Sequence, residues 1–535
     1  MVGWKLIVFA NRGIRQEWGE ELEWFPCDSA MQYVRRFNAV EKLPQSNALV
    51  DYLVNRTVGT QHMLDVDTNM KRHLAEAAAN LNEDQYQAVE KVVTGHGEIM
   101  VRGSYGCGES RTISWMVKLL LECRPKDIVL VTAETNVAID QVLLRLHEMN
   151  IPSDKIVRLG SAPETRSELR EFTLDERVRK FQAQPFNLSA NVARKRTLDP
   201  ARVFVATLSA TGNNTGLKIG WSIIINDEAA QTAEHGVLMA MRAQTSTMVL
   251  FGDPKQLLPH LNLQGPRKHK FDLRGQPHYI TQSLMVAIQR QSRAFPGVTL
   301  HRQYRCHAQI SALVAPFYSK HYQVITAPNV SPVSYLQGMR LRSNDVIGME
   351  RVILVDCIQE LRSQGRGTDE ANVIEQWVIV EYLVGIKNFL KQSPLRPERK
   401  EVHVLAAYKA QTRQLTTLVR RYEHIWKDYL TVAVRTFDSV QGDEANIVLL
   451  SLCRNNPARN VGFLNDTDSR LIVAISRAKD YIFIVRNEWT FSGCAFWSAI
   501  RDEAENGSIP CVNVTEDRSV EDVRRDLDQG PRYFT

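Results

Sequence analysis

Short apolar runs rich in β-branched residues recur along the chain, and helical stretches separate them. They form two series of five runs each. Strands that alternate with helices build parallel sheets that helices cover. The pattern therefore predicts an α/β fold with two parallel sheets in tandem. The runs span residues 99–101, 128–131, 203–206, 223–225 and 248–251, and then residues 352–355, 402–406, 432–434, 447–451 and 481–485.

The two series divide the 535 residues into four predicted regions. Residues 1–80 are rich in tryptophan and charge, and we interpret them as an N-terminal accessory region. The first sheet domain is expected over residues 81–295, with a charged helical insertion at about residues 160–200. The second sheet domain is expected over residues 296–500, and residues 501–535 form a polar tail.

Composition and charge permit a nucleic-acid partner without requiring one. The chain is 44% hydrophobic and 24% charged, as ordinary globular proteins are, and its net charge is +6. The eight cysteines form no C-x-x-C pair, so we expect neither a zinc site nor a disulfide framework. No apolar stretch is long enough for a membrane span, so no membrane partner is expected. A reducing compartment, the cytoplasm or the nucleus, fits these features.

A buried apolar run ends in two adjacent carboxylates, Asp227 and Glu228. In a nucleotide-hydrolysing site, Asp227 would hold Mg²⁺ and Glu228 would orient or deprotonate the attacking water. A strand that ends in a charged turn without any catalytic role would have the same sequence pattern. The next apolar run ends in a Gly-Asp-Pro turn, which is ordinary turn chemistry, but Gln256 behind it is placed to sense a terminal phosphate.

Together these two segments resemble motifs II and III of the superfamily 1B helicases. The group resembled is the one that contains the nonsense-mediated-decay RNA helicase and senataxin. Other segments between residues 81 and 490 are similar to the remaining motifs, and they follow the family's order, which isolated chance matches would not. The resemblance implies two tandem RecA-like domains that use ATP and Mg²⁺. Smaller matches are Asn372, Glu375, Tyr408, Gln411 and the segment Gly462-Phe-Leu464.

The resemblance assigns roles around the nucleotide. Gln85 would read adenine, Tyr304 would stack on it, and Glu444 would accept hydrogen bonds from the ribose. Arg305 would point at the γ-phosphate, and Arg477 would act as the arginine finger. These arginines would stabilise the charge that develops on the transferred phosphoryl group.

The resemblance also implies single-stranded RNA or DNA as a partner, with RNA preferred. Thr135 and Asn136 lie in the segment similar to motif Ia, which touches the nucleic-acid backbone. Thr207 follows the run at 203–206, and Thr436 lies in the segment similar to motif V. Such contacts to phosphates hold a strand largely without reading its sequence. Protein partners are not indicated.

One segment departs from the family where the chemistry is most demanding. The phosphate loop should read G-x-x-x-x-G-K-[ST], and this chain has GSYGCGES. Gly103, Gly106 and Gly108 keep backbone amides available for phosphates, and Ser110 keeps the hydroxyl that binds the metal. Glu109 stands in place of the lysine. A unit charge pair at about 4 Å is worth roughly 4 kcal/mol at an effective dielectric near 20, so this reversal predicts weaker ATP binding.

Three functions therefore stay open. The first is an ATP-dependent helicase or translocase, with hydrolysis impaired by Glu109. The second is a pseudo-helicase that clamps nucleic acid or a protein without turnover. The third, a phosphate-loop kinase or a GTPase-like switch, is disfavoured by the two tandem sheets and by Arg477. Ser104 and Tyr105, which stand where the family commonly has prolines, add to the departures in the loop.

Overall fold

The structure is a computed structural model of the chain. The residues that it describes are 64–213, 219–259, 283–291, 297–330, 334–341, 346–358, 371–392, 398–440, 442–465, 468–506, 511–517 and 525. The predicted N-terminal accessory region therefore lies almost wholly outside the described residues, and so does most of the predicted tail.

The chain forms two compact units. The first takes in the described residues of Met1–Val101, Ser110–Gly252 and Leu258–Gly297. The second takes in those of Arg102–Glu109, Asp253–Leu257 and Val298–Thr535. The glycine-rich segment before Ser110 and the turn that contains Gln256 thus group with the second unit.

The first sheet has seven strands in the order β3-β4-β2-β5-β6-β1-β7. The pairs from β3 to β6 are parallel. Their Val, Ile and Leu residues are buried, as expected for a parallel sheet that helices cover on both faces. The strands are β1 (Glu98–Gly103), β2 (Val129–Ala133), β3 (Ile156–Leu159), β4 (Val203–Thr207), β5 (Ile223–Asn226), β6 (Thr247–Gly252) and β7 (Gly297–Leu300).

Helices connect these strands and begin at recognisable caps. Asn82 and Gln85 form a capping box at the start of α2, and the Thr135 hydroxyl caps α4. The helices are α1 (Thr68–Asn80), α2 (Glu83–Val93), α3 (Glu109–Cys123), α4 (Asn136–Glu148), α5 (Leu174–Gln182), α6 (Ala190–Leu198), α7 (Leu208–Asn213), α8 (Glu234–Leu238) and α9 (Leu284–Gln291).

The second sheet has six strands in the order β12-β11-β13-β14-β10-β15, and every neighbouring pair is parallel. A two-stranded parallel pair, β8 with β9, stands apart from it. These strands are β8 (Arg302–Gln303), β9 (Ile325–Thr326), β10 (Val352–Ile358), β11 (Lys400–Ala406), β12 (Leu430–Thr436), β13 (Ala445–Ser451), β14 (Ala478–Arg486) and β15 (Cys511–Asp517).

Two apolar clusters cover the second sheet. One packs the long helices α11 (Val373–Gln392) and α12 (Lys409–Trp426) on strand residues such as Val404 and Phe483. The other packs α10 and α13 on strand residues such as Leu405 and Ile482. Strand residues that alternate between two clusters place the sheet between two helical layers. The remaining helices here are α10 (Ala308–Val314), α13 (Asp468–Ile475), α14 (Glu488–Phe491) and α15 (Ala495–Glu505).

The predicted fold class, α/β with two parallel sheets in tandem, is confirmed. Each predicted apolar run overlaps a strand. The strands β7, β8, β9 and β15 were not predicted, and neither was β3. Its sequence is Ile-Val-Arg-Leu, and Arg158 interrupts the apolar pattern although its side chain is 1% exposed. In the described part of the chain, no helix combines the length and apolarity that crossing a membrane requires.

Candidate functional site

The two predicted catalytic carboxylates follow directly after β5. The backbone N–H of Asp227 donates to the carbonyl of Thr132 at 2.8 Å, which ties the turn to the neighbouring end of β2. The backbone N–H of Glu228 donates to Oδ1 of Asp227 at 3.0 Å. Both residues therefore lie at the carboxyl edge of the first sheet, where parallel α/β sheets bind ligands.

Burial makes the Asp227 carboxylate costly to keep charged. Its pKa is raised from 3.8 to about 8, chiefly by burial and further by the charge of Glu228, although a backbone N–H bond opposes the rise. A divalent cation beside it would compensate the burial and favour the charged form. Carboxylate and hydroxyl oxygens are the ligands that Mg²⁺ prefers, so Asp227 and the Ser110 hydroxyl are a donor set that fits this ion.

The backbone at Glu228 is in the left-handed region, with φ of 53°. For a residue with a side chain this conformation costs energy, and such positions cluster at functional sites. Gly252 packs against the same turn: a Cβ at Gly252 would lie 2.8 Å from the Ala230 nitrogen and 3.1 Å from the Ala229 nitrogen. The Ala229 N–H also donates to the carbonyl of Phe251 at 2.6 Å. Only glycine therefore lets the ends of β5 and β6 approach this closely.

Two further polar side chains, which sequence reasoning missed, lie at the same edge. Thr132 and Asn226 are opposite each other in the register of β2 and β5. The Thr132 hydroxyl and both Asn226 side-chain atoms are buried and have no hydrogen-bond partner among the described residues. Buried polar atoms of this kind are normally satisfied by water or a ligand. Their presence supports a polar ligand near Asp227, and only the strand register could have revealed it.

The phosphate loop turns sharply between β1 and α3. Gly106 and Gly108 have φ of 65° and 83°, a region that glycine enters without a steric penalty. The Gly106 carbonyl accepts the backbone N–H of Tyr304 at 2.8 Å. A Cβ at Gly106 would lie 2.5 Å from the Cβ of Arg305. The second unit thus brings this loop together with two predicted nucleotide-binding residues.

Glu109 turns back across the loop. A Cβ built at Gly103 would overlap Oε1 of Glu109 and Sγ of Cys107. The Oε1 atom is shielded from solvent. Burial raises the pKa of the Cys107 thiol, and the nearby Glu109 carboxylate adds to the rise. The side chain that replaces the family's lysine therefore lies over the loop rather than pointing into solvent.

Tyr105 anchors the loop within the second unit. Its ring is 1% exposed and belongs to the apolar cluster that contains α10. The Tyr105 hydroxyl lies 2.7 Å from Oγ of Ser311 and donates to the Ser311 carbonyl at 3.1 Å. The Tyr105 ring also meets the ring of Tyr318 edge-on, with centroids 5.8 Å apart. The sequence drew attention to Tyr105 only as a departure from the family.

Gln303 fixes the turn that presents Tyr304 and Arg305. Its buried Oε1 accepts the backbone N–H groups of Arg305 and Cys306, both at 2.9 Å. Its Nε2 donates to the Cys306 carbonyl at 2.7 Å and to the Thr326 hydroxyl at 2.9 Å. Three of these contacts restrain the turn at residues 305–306, and the fourth ties it to β9, so Gln303 is a structural support for the site.

Arg305 and Glu444 pair with each other. Nε of Arg305 donates to Oε2 of Glu444 at 2.6 Å, and Nζ of Lys479 lies 2.8 Å from Oε1 of the same carboxylate. Burial raises the pKa of Glu444, but the charges of Arg305 and Lys479 outweigh it and lower the pKa from 4.5 to about 2. The residues predicted to meet the γ-phosphate and the ribose thus neutralise each other here.

Arg477 is buried next to Gln256. Its Nη2 lies 3.4 Å from Oε1 of Gln256, while Nε donates to the Val473 carbonyl at 3.0 Å. Nε2 of Gln256 donates in turn to Oδ2 of Asp253 at 2.8 Å. The second unit therefore joins the predicted phosphate sensor to the predicted arginine finger.

The four predicted nucleic-acid residues all lie at or just after the carboxyl ends of strands, but their side chains have local partners. The hydroxyls of Thr135 and Thr207 accept backbone N–H bonds at 3.3 and 3.2 Å. Oδ1 of Asn136 accepts a bond from the buried Arg158 at 2.6 Å, and the Thr436 hydroxyl donates to Ser439 at 3.0 Å. Gln85 lies in the first turn of α2, where its Oε1 accepts the Asn82 N–H at 3.3 Å.

Three of the smaller family matches, Asn372, Glu375 and Gln411, assemble into one buried polar network. Oε2 of Glu375 accepts the Ser451 hydroxyl at 2.6 Å and the Cys453 N–H at 2.9 Å. Gln411 joins it through Ser451 at 3.0 Å and accepts the Asn372 N–H at 2.9 Å. Burial raises the pKa of Glu375 from 4.5 to about 8, although its two donors oppose the rise. The network links β13 to the starts of α11 and α12.

Comparisons with known proteins agree with this architecture. Two family models match, and both are described as an AAA domain. One matches residues 80–196 and 183–262, and the other matches residues 280–488. The matched segments thus include Asp227, Glu228, the predicted phosphate loop, Arg305 and Arg477.

Three relatives illustrate the similarity. "Regulator of nonsense transcripts 1" of Dictyostelium discoideum is 25% identical over 87% of this chain and 35% of its own length. "Helicase sen1" of Schizosaccharomyces pombe is 23% identical over 90% of this chain and 33% of its own length. "DNA replication ATP-dependent helicase/nuclease DNA2" of Gallus gallus is 24% identical over 86% of this chain and 41% of its own length. The chain therefore spans about a third to two fifths of the length of these three relatives.

Proposed function

Because the chain belongs to the superfamily 1 helicases, in the 1B group, we propose that it is an ATP-dependent helicase or translocase on single-stranded nucleic acid. The observation that carries the proposal is the contact between Arg477 and Gln256, 3.4 Å apart. A guanidinium stays charged at every physiological pH, and hydrogen bonds to the carbonyls of Val473 and Asp443 hold that of Arg477 next to the glutamine. A positive charge held beside a glutamine is an arrangement that suits phosphate sensing and charge neutralisation.

The proposed chemistry uses few groups. Glu228 orients and deprotonates the attacking water, and the amides around Gly106 and Gly108 hold phosphate oxygens. Mg²⁺, held by Asp227 and Ser110, would neutralise part of the phosphate charge. Arg305 exchanges its partner Glu444 for the terminal phosphate, which leaves Glu444 able to accept from the ribose.

The remaining roles follow from position and resemblance. Gln85 and Tyr304 bind the adenine, and Gln256 and Arg477 respond to the terminal phosphate. Thr135, Asn136, Thr207 and Thr436 contact the strand. Their hydroxyl and amide groups carry local hydrogen bonds, so we expect these segments to bind phosphates mainly through backbone N–H groups.

We propose RNA as the preferred strand. The resemblance to the nonsense-mediated-decay RNA helicase favours RNA. One relative is named for nonsense transcripts, another only as a helicase, and a third for DNA replication. Single-stranded RNA is therefore expected to stimulate hydrolysis more than DNA of the same sequence does. Stronger stimulation by DNA would reverse this preference without affecting the proposed reaction.

A second function, a clamp that binds nucleic acid without turnover, is favoured by Glu109. Its carboxylate lies over Gly103 with Oε1 shielded from solvent. A negative charge at that place repels phosphates, and it fills space beside the loop. The two functions differ in one measurable property, because only the first couples strand binding to ATP hydrolysis.

The deciding experiment measures ATP hydrolysis with and without single-stranded RNA, for the native chain and two variants. Glu109→Gln removes a repulsion, and Glu109→Lys also adds an attraction. We expect nucleotide affinity to rise from the native chain to the glutamine variant and then to the lysine variant, by at least about a hundredfold overall.

Glu228→Gln in the lysine background is the matched control, since it should bind ATP without hydrolysing it. Turnover in the native chain would support the helicase and show that Glu109 is tolerated. If none of the chains hydrolyses ATP and RNA still binds, the result would support the clamp and reject the catalytic proposal.

A further inference from the structure

A cavity of about 500 Å³ lies in the first unit, at the opposite end of the sheet from Asp227. Its lining includes Ile128, directly before β2, and Gly220, shortly before β5. Both positions are at the amino ends of strands, whereas Asp227 follows the carboxyl end of β5. Strands of five residues, such as β2 and β4, separate the two edges by about 16 Å at roughly 3.3 Å per residue. This cavity is therefore distinct from the candidate nucleotide site.

One face of α6 forms a wall of the cavity. Asn191, Arg194, Lys195 and Leu198 all line it. Their spacing of i, i+3, i+4 and i+7 places them on the same side of a helix. This side of α6 therefore presents one amide, two cations and the apolar side chain of Leu198 to the cavity.

The floor of the cavity is apolar. Phe204, which is 2% exposed, contributes to it from β4, together with Ile128 and Ile219. Apolar floors with a few convergent polar groups are the usual form of small-molecule sites, whose volumes are about 300–1,000 Å³. The apolar residues of the lining offer a surface to the ring of a ligand.

The charge on the lining favours an anion. Arg194, Lys195 and Arg202 are cationic, and Asp199 is the single carboxylate among the lining residues. Arg202 uses Nη1 for the carbonyls of Asp199 and Ala201, at 3.1 and 2.9 Å. Within the described part of the chain, the side chains of Arg194 and Lys195 make no ion pair or hydrogen bond with another residue. Two cations are thus available beside an apolar floor.

We propose that this cavity binds a nucleoside 5′-phosphate, with the phosphate on Arg194 and Lys195, the ring on the apolar floor, and Asn191 at a polar edge of the base. Arginine and lysine together hold a phosphate by charge-assisted hydrogen bonds. The ligand is either a free mononucleotide or the 5′-phosphorylated end of a strand. Both sources present the same chemistry to the cavity.

The first test measures binding of uridine 5′-monophosphate to the native chain by calorimetry, beside uridine and inorganic phosphate. We expect saturable binding of the monophosphate at least about tenfold tighter than either fragment, since each fragment lacks half of the contacts. Equal binding of phosphate alone, equal binding of uridine, or no binding of the monophosphate would overturn the proposal.

Variants then locate the site. Arg194→Glu should weaken monophosphate binding at least about tenfold, and Ile219→Trp should weaken it by filling the cavity without changing the charge. Lys180→Glu, on the neighbouring helix α5 and outside the lining, is the matched charge control. An equal loss in Lys180→Glu and Arg194→Glu would show diffuse attraction and reject the site. Thermal unfolding of each variant confirms that it is folded.

Two further measurements distinguish a free mononucleotide from a 5′-phosphorylated strand end, and this cavity from the candidate nucleotide site. A 5′-phosphorylated oligonucleotide that binds more tightly than its 5′-hydroxyl form, with the difference lost in Arg194→Glu, identifies a strand end as the ligand. An absent difference, with monophosphate binding kept, identifies the free mononucleotide. Arg194→Glu should leave ATP hydrolysis by the Glu109→Lys chain unchanged, because Arg194 lies outside the candidate nucleotide site, so failure here is distinguishable from failure of the proposed ATPase. A loss of hydrolysis in the Arg194→Glu chain would make Arg194 part of the nucleotide site and overturn the proposal.

Discussion

Arg305 and Glu444 are 139 positions apart in the sequence and are joined by a 2.6 Å hydrogen bond between Nε and Oε2. Both were predicted to bind the nucleotide, the first through the γ-phosphate and the second through the ribose. Their pairing means that each has a partner before a nucleotide arrives. Nucleotide binding is thus expected to exchange this pair for new contacts rather than to fill two unsatisfied groups.

The pair predicts energetic coupling in the second unit. Arg305→Ala and Glu444→Gln should each lower the free energy of unfolding, and the double variant should lose less than the sum, with a coupling of about 1–3 kcal/mol. Because the pKa of Glu444 is lowered from 4.5 to about 2, this stability is present above pH 4.5 and is lost as the pH falls toward 2. Denaturant unfolding at neutral and acidic pH measures it, and additive losses would contradict the coupling.

The buried network around Glu375 predicts a pH dependence of the opposite sign. Its pKa is raised from 4.5 to about 8, so the unfolded chain releases this proton first and stability falls as the pH rises from 4.5 to 8. Glu375→Gln cannot ionise and should be more stable than the native chain at pH 8, by roughly 2–4 kcal/mol. Chemical denaturation across this range is the measurement.

Glu423→Gln, at an exposed position of α12, is the control for this network and should leave the pH dependence unchanged. A stability curve for Glu375→Gln that follows the native curve between pH 4.5 and 8 would show that Glu375 is already charged in the folded state.

The close approach at Gly252 predicts a strong effect of a single methyl group. Gly252→Ala would force a Cβ to within 2.8 Å of the Ala230 nitrogen and should destabilise the first unit by about 1–3 kcal/mol. Gly97→Ala is the matched control, since its Cβ would meet only the Ser246 carbonyl, at 3.4 Å. Thermal unfolding compares them, and equal midpoints would argue against the close approach.

The anchoring of the phosphate loop predicts a measurable role for one hydroxyl. Tyr105→Phe leaves Ser311 without its partner in an apolar cluster, so we expect a loss of about 1 kcal/mol. Ser311→Ala should cost a similar amount, and the double variant should cost little more than either. Independent losses in a double-mutant cycle would mean that the two groups do not interact.

How far the fold and the site follow from the sequence depends on the kind of interaction. Apolar periodicity reports burial, so it predicted the two parallel sheets, but it missed β3 because Arg158 is buried in it with Asp140 3.5 Å away. The approximate place of Asp227 followed from the end of an apolar run. The position of Thr132 opposite Asn226 depends on strand register, and the supports from Gln303 and Ser311 depend on long-range packing. None of these leaves a local pattern in the sequence.

The absence of a side chain at Gly252 has a mechanical consequence. The turn that begins at Asp227 and the end of β6 are in direct backbone contact. Because no side-chain rotamer can change to absorb a displacement of either segment, the two segments must move together. A shift of a few tenths of an ångström at the end of β6 must therefore move the backbone of Ala229 and Ala230, and with it the strained peptide at Glu228. The carboxylate that we propose activates water is thus positioned by a residue that has no side chain.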